Sequence, residues 1–190
     1  MQYYVFAYGS LMDAESARVT LGYTPNLRPA SLSGFRTAWN VATRINEGRN
    51  LGRVALYADG SPYDGLLVPI GLEAGEGYHT QGMVFQTSES DLDALDEREV
   101  NYDRVDVTHE ITWLDGGAPS GTHQVYTYVP KPASVAMLHE AAKGGMKVVV
   151  TKSYLDILHH VAERYEYAAP LVIPAPHWQV HDVRLHSSSS

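Results

Sequence analysis

Val5-Phe6-Ala7-Tyr8-Gly9-Ser10-Leu11 runs an apolar strand pattern directly into a turn of small residues. Tyr3, Tyr4, Val5 and Phe6 are aromatic or β-branched, the types that favour extended backbone. Gly9 lacks the Cβ that keeps a ligand away from the main chain. Successive amide hydrogens of such a turn can point outward, and a concave run of them binds a carboxylate or phosphate through oriented dipoles, with no cationic side chain needed. The stretch therefore reads as a strand that delivers an anion cradle. The plainer reading is a buried first strand followed by an ordinary tight turn.

Working outward, 190 residues with 44% hydrophobic content suffice for one substantial core and are short for two independent domains. One domain over residues 1–186 is expected, with Ser187 to Ser190 as a solvated, disordered tail. No apolar run approaches the length that spans a bilayer, and the N-terminus carries neither a basic region nor an apolar segment with a small-residue cleavage site. A soluble cytoplasmic protein with no membrane partner is expected. The chain has no cysteine, which excludes disulfides, thiol nucleophiles and thiolate metal sites. A net charge of −8 argues against a nucleic-acid partner, since phosphate binding relies on basic patches. The 13 tyrosines suit a β core, and also a pocket that needs apolar walls with polar tips.

Asp13 is placed to cap a short helix through Leu21, and Pro25, Pro29 and Gly34 punctuate the connection to the next extended segment. Strands are expected over 35–45, 52–58, 64–70 and 80–87, with the glycine-rich 71–77 as a turn. Ser88 with Asp91 three residues on is a capping-box arrangement that opens a helix over 89–99. Tyr102 to Trp113 and Thr122 to Val129 read as a long hairpin around Asp115-Gly116-Gly117. Helices over 133–142 and Ser153 to Tyr165 complete the pattern, the latter from Tyr154, Leu155, Leu158, Val161, Ala162 and Tyr165 at helical spacing.

On the helix that starts near Ser88, Leu92, Leu95 and Glu99 project from one side, while Asp91, Asp93, Glu97 and Arg98 point elsewhere and read as a solvated face. A carboxyl at the end of an apolar stripe is partly stripped of water, which disfavours its charged form and suits it to take and return a proton. The alternative is an amphipathic helix whose last carboxylate pairs with Arg98, Arg104 or a lysine.

The ordered combination of Phe6-Ala7-Tyr8-Gly9-Ser10-Leu11, Leu95-Asp96-Glu97-Arg98-Glu99 and Tyr102 resembles the γ-glutamyl cyclotransferase family, including its AIG2-like and butirosin-deacylating branches. The likeness extends from Val5 to about Tyr128, with a weaker echo in Ser153-Tyr154-Leu155. It implies an α+β fold, a small, mixed and mainly antiparallel β-barrel with flanking helices. It also implies a reaction: the α-amine of a γ-glutamyl amide attacks its own γ-carbonyl, an acyl transfer that cleaves the amide C–N bond and releases 5-oxoproline and a free amine. By the same resemblance Glu99 is the catalytic acid-base group, and Tyr8, Gly9, Ser10, Leu11, Tyr102 and Tyr126 or Tyr128 bind substrate. No cofactor and no metal are implied, and the protein would work on its small-molecule substrate as a monomer or homodimer. Val100 departs from the family, where a small residue, usually glycine, follows the glutamate. The extended middle, Ile45 to His79, is a place for leaving-group specificity to reside.

Three other readings compete. A non-catalytic module would use the same cradle to hold a carboxylate-bearing metabolite. A metallohydrolase would need converging histidines, but His159 and His160 are adjacent and diverge on a helix, while His177 and His181 follow Pro170, Pro174 and Pro176. A Ser10 nucleophile would lack the G-x-S-x-G elbow.

Overall fold

The computed structural model describes residues 1–45, 47, 50, 52–165 and 174–187. The opening strand pattern forms β1 (Gln2–Ala7), and its alternation buries Tyr4 and Phe6 in one core cluster and Val5 and Ala7 in another. A strand buried on both sides belongs in the middle of a sheet. Accordingly β1 lies between two neighbours, antiparallel to β5 (Gly71–Thr87) and parallel to β8 (His123–Pro130). The sheet extends through β6 (Tyr102–Asp106) on one side and through β2 (Arg28–Ala38) and β7 (Ile111–Trp113) on the other, in the order β6-β8-β1-β5-β2-β7. β1 with β8 is the parallel pair in this otherwise antiparallel sheet. Among the described residues two smaller sheets accompany it. β4 (Leu66–Leu67), β9 (Val148–Thr151) and β10 (Gln179–His181) pair in parallel, and β3 (Arg53–Tyr57) pairs with β11 (Val183–Ser187). Among the described residues the main ladder ends at β6 and β7 without closing on itself.

Among the described residues four helices flank the sheets: α1 (Ala14–Leu21), α2 (Glu89–Arg98), α3 (Pro132–Lys143) and α4 (Lys152–Arg164). Leu138 of α3 and Tyr154 and Leu158 of α4 join the core around Phe6, together with Leu66 and Val150 of the three-stranded sheet. Ala17 and Leu21 of α1 and Leu92 and Leu95 of α2 cover the opposite face around Val5 and Phe85. The mixed α+β architecture, with a mainly antiparallel sheet and flanking helices, is the one the sequence implies.

Local chemistry explains the helix starts. The Asp13 carboxylate accepts from the Ser16 amide at 2.7 Å, and Ser88 with Asp91 forms the full reciprocal capping box.

Three strand readings need correction. β2 starts at Arg28 rather than near Phe35, because Gly34 (φ +82°) is not a loop but a bulge where the register with β5 shifts between Ser33 and Phe35. The glycine-rich 71–77 is not a turn either: Gly71 to Ala74 pair with Ala38 to Phe35 and lengthen β5. The long hairpin after Tyr102 splits. β6 pairs with β8, but Asp106 accepts from both the amide and the hydroxyl of Thr108, and this tight side-chain turn sends the chain across to β7 on the far edge beside β2. At the C-terminus Ser187, read as the start of the tail, is the last residue of β11 and pairs with Arg53. Ser188 to Ser190 lie outside the described residues, as does Pro170.

Candidate active site

The end of β1, the end of α2 and the segment before β5 meet around one cleft. Its empty space is about 610 Å³, counting solvent at its mouth. Past Ala7 the chain cannot continue in the sheet, since Met12 N–H bonds back to Gly9 O and Asp13 N–H to Ser10 O in a single 3₁₀ turn, Ser10–Met12. The amides of Gly9, Ser10 and Leu11 precede the first internal bond of that turn. The hydroxyl of Tyr154 on α4 approaches Gly9 closely: a Cβ there would lie 3.2 Å from the Tyr154 hydroxyl oxygen.

Glu99 caps the C-terminus of α2, where its own amide bonds to Leu95 O at 2.8 Å and its carbonyl accepts from Tyr102 N–H at 2.8 Å. The backbone is thus held on both sides, and the carboxylate lines the cleft with its side chain 15% exposed. Arg98 decides its orientation. The guanidinium donates from Nε to Glu99 Oε1 at 2.9 Å, from Nη1 to Ser16 O and Thr20 Oγ1, and from Nη2 to Ser16 Oγ and to Ser10 Oγ at 3.2 Å. One planar group therefore ties the cradle turn, α1 and the carboxylate together, with a fork geometry that lysine does not possess. Among the described residues no donor reaches Glu99 Oε2, so that oxygen remains for the cleft.

This corrects the expectation for Arg98, read as part of a solvated face. Its side chain is only 7% exposed, because the acceptors of α1 and Ser10 draw it inward. The competing expectation, that Glu99 pairs with Arg98, is also met, and the same pair lies on the cleft wall.

Tyrosines furnish part of the remaining wall. Tyr8 is buried and donates to Tyr128 O at 2.6 Å; burial, with Glu99 and Tyr154 close by, pushes its hydroxyl well above its ordinary value, so it stays a neutral donor. Tyr128 donates to Asp96 Oδ1 at 2.8 Å, and burial followed by that bond raises its hydroxyl likewise. Tyr102 donates to Ile70 O at 3.0 Å and so pins the segment that opposes the turn.

Of the residues singled out from sequence, Tyr8, Gly9, Ser10, Leu11, Glu99, Tyr102 and Tyr128 line this one cleft. Tyr126 does not. It faces Val5 in the β1–β8 ladder, short of the turn; its ring stacks on Tyr3 at 6.4 Å, and the Arg104 guanidinium lies 5.2 Å from the ring centre. Sequence reasoning missed Arg98, Asn101, Ile70, Thr43 and Glu47 as lining residues. Arg98 carried a signal, as an arginine flanking a carboxyl on the inner edge of a helix. Asn101 lies two residues beyond Glu99, whereas Thr43, Glu47 and Ile70 come from segments that only the tertiary fold brings near.

Among the described residues, no three His, Asp or Glu side chains are grouped to hold a metal ion. No helix among them is long and apolar enough to cross a membrane.

Residues 5–146 match the protein family described as gamma-glutamyl cyclotransferase, AIG2-like. The chain belongs to that family. Among solved structures it is similar to the yeast gamma-glutamyl cyclotransferase specific to glutathione, at 16% identity and a TM-score of 0.51 over 87% of this chain and 88% of that one. It is also similar to an Arabidopsis thaliana protein known from a solution structure (22% identity, TM-score 0.45, 89% and 95% of the two chains). A further gamma-glutamyl cyclotransferase shares 17% identity at a TM-score of 0.45 over 90% and 94% of the two chains. The yeast likeness supports the family fold. No curated protein matches the chain in sequence.

Proposed function

We propose that the protein cleaves a γ-glutamyl amide by intramolecular cyclisation and releases 5-oxoproline and a free amine. The observation that carries this reading is the single guanidinium of Arg98 joining Glu99 Oε1 to Ser10 Oγ, which sets a carboxylate beside a turn of main-chain donors. In the proposed reaction the amides of the Gly9 to Leu11 turn hold the α-carboxylate of the substrate. The neutral α-amine then lies next to Glu99. Its nitrogen attacks the γ-carbonyl carbon while Glu99 Oε2 takes the proton that nitrogen sheds. Collapse of the tetrahedral centre breaks the γ-carbon to nitrogen bond, and Glu99 hands the same proton to the departing amine. Atoms balance with no water consumed. Holding the folded-back conformer is itself worth much, since oriented intramolecular attack reaches effective molarities of about 10⁵ M or more. Tyr8, Tyr102 and Tyr128 serve as walls whose hydroxyls are already committed to protein acceptors, which keeps the cleft rigid. The family membership supports the same reaction class.

The test is mass-spectrometric detection of 5-oxoproline from purified protein offered a panel of γ-glutamyl amides. Release of 5-oxoproline with an equal amount of amine is expected. Binding of the panel without any turnover would instead favour a carboxylate-holding module.

A further inference from the structure

Two shielded oxygen acceptors lie at the cleft and in the chamber beside it. A smaller chamber, about 340 Å³ of empty space, shares Thr43, Pro69 and Tyr154 with the cleft and adds Asn50 and Thr151 among apolar side chains. Asn50 is only 2% exposed, and its side-chain carbonyl Oδ1 has no hydrogen-bond partner among the described residues. Glu47 lines the cleft itself, and its Oε2 is likewise shielded and unpartnered among them. The two are linked, since Asn50 N–H donates to Glu47 O at 2.9 Å. A shielded acceptor without a donor is costly, and a carboxylate oxygen more so. Such groups call for an explanation, and at a cavity wall a ligand that brings the donor is one.

Charge points the same way. Among the described residues lining the cleft the charged side chains are Glu47, Arg98 and Glu99. Arg98 and Glu99 neutralise each other, so among the described lining residues Glu47 leaves a net negative charge. A leaving group that carries a carboxylate would meet it unfavourably, and an ammonium would satisfy it.

We infer that the leaving amine carries a second, cationic hydrogen-bond donor, which seats against Glu47 and Asn50; the substrate class is a mono-γ-glutamylated diamine or polyamine. This rests on the γ-glutamyl reading of the cleft. Glu47 and Asn50 then set specificity at the leaving-group end, while Glu99 and the turn handle the glutamyl end common to all donors.

The experiment compares kcat/KM for three donors: γ-glutamyl-1,4-diaminobutane, γ-glutamyl-n-butylamide and γ-glutamylglycine. The diamine donor is expected to exceed the butylamide by roughly tenfold or more, the scale of one charge-assisted hydrogen bond, with γ-glutamylglycine slowest. Glu47→Gln should collapse the diamine-to-butylamide ratio towards unity. A wild-type ratio near unity, a preference for γ-glutamylglycine, or an equal loss on all three donors in Glu47→Gln would overturn the inference. Calorimetric titration of wild type and Glu47→Gln with N-(4-aminobutyl)acetamide, which keeps the second ammonium, and with uncharged N-butylacetamide separates this from failure of the reaction itself. If no donor turns over, the cyclotransferase reading falls, and binding of the aminobutyl amide that exceeds the butyl amide and weakens in Glu47→Gln still upholds the cation subsite. Equal binding of both amides to wild type overturns it, and that comparison stands even where Glu47→Gln fails to fold.

Discussion

Replacing Arg98 with methionine keeps most of the volume at the junction of α1, α2 and the Gly9 turn but removes a guanidinium that bonds Glu99, Ser16, Thr20 and Ser10 at once. Both partners of the ion pair are largely shielded, at 7% and 15% side-chain exposure, so solvent screening offsets little of the loss. Removing one partner of such a pair strands the other, which typically costs about 3–5 kcal/mol. For a chain of this length each kcal/mol moves Tm by roughly 2–4 °C, so a fall of roughly 6–20 °C is expected. Arg98→Lys should fall less, because an ammonium can still meet Glu99 but cannot span the acceptors of α1 and the turn. Calorimetric melting of the three proteins gives the stabilities, and 5-oxoproline release well below each Tm gives the catalytic effect, where kcat should drop in both variants as Glu99 loses its fixed orientation. A methionine variant that melts within about 2 °C of wild type would refute the claim that this guanidinium holds the site together.

Two further outcomes probe the frame of the site. Gly82→Ala should lower the urea midpoint by the equivalent of about 1–3 kcal/mol, because the new Cβ would collide with the carbonyl of Ala7 and lie 2.7 Å from the Phe6 ring just ahead of the cradle; an unchanged midpoint would mean β1 and β5 are not so close. The Thr108 hydroxyl bond, against some burial and helped by the Thr108 amide, holds the Asp106 carboxyl below its ordinary 3.8, so its contribution to stability is present above that value and is lost as pH falls through the lower folded-state value. Wild type should therefore lose more Tm than Asp106→Asn between neutral pH and strongly acidic pH, and parallel losses would contradict the assignment.

The elements legible in the sequence are those governed by neighbours in the chain. Asp13 and Ser88 announce α1 and α2 because a cap is a local hydrogen bond, and the stripe on α2 places Glu99 correctly because helical periodicity is local too. What failed depended on partners far along the chain. Gly34 and Gly71 look like turn residues in isolation, and only the register between β2 and β5 makes them a bulge and a strand start. Tyr126 and Tyr128 are indistinguishable by alternation on β8, and it is the ladder with β1 that leaves Tyr126 beside Val5 and Tyr128 at the cleft. Arg98 was misplaced because charge alone suggests solvent, whereas the acceptors that bury it belong to α1 and the turn, far earlier in the chain. Glu47 and Asn50 had no local signal at all, since their importance lies in missing partners rather than in any pattern.

The central claim is that the carboxylate of Glu99 shuttles the proton between the attacking and departing nitrogens. Glu99→Gln keeps the shape of the side chain and retains an acceptor for Arg98 while abolishing that chemistry, so its turnover of a γ-glutamyl amide, measured alongside binding of 5-oxoproline and the melting curve, is the most direct test. The account predicts a loss of kcat of about 10²–10⁴-fold in a folded protein that still binds product. Turnover at the wild-type rate would contradict it.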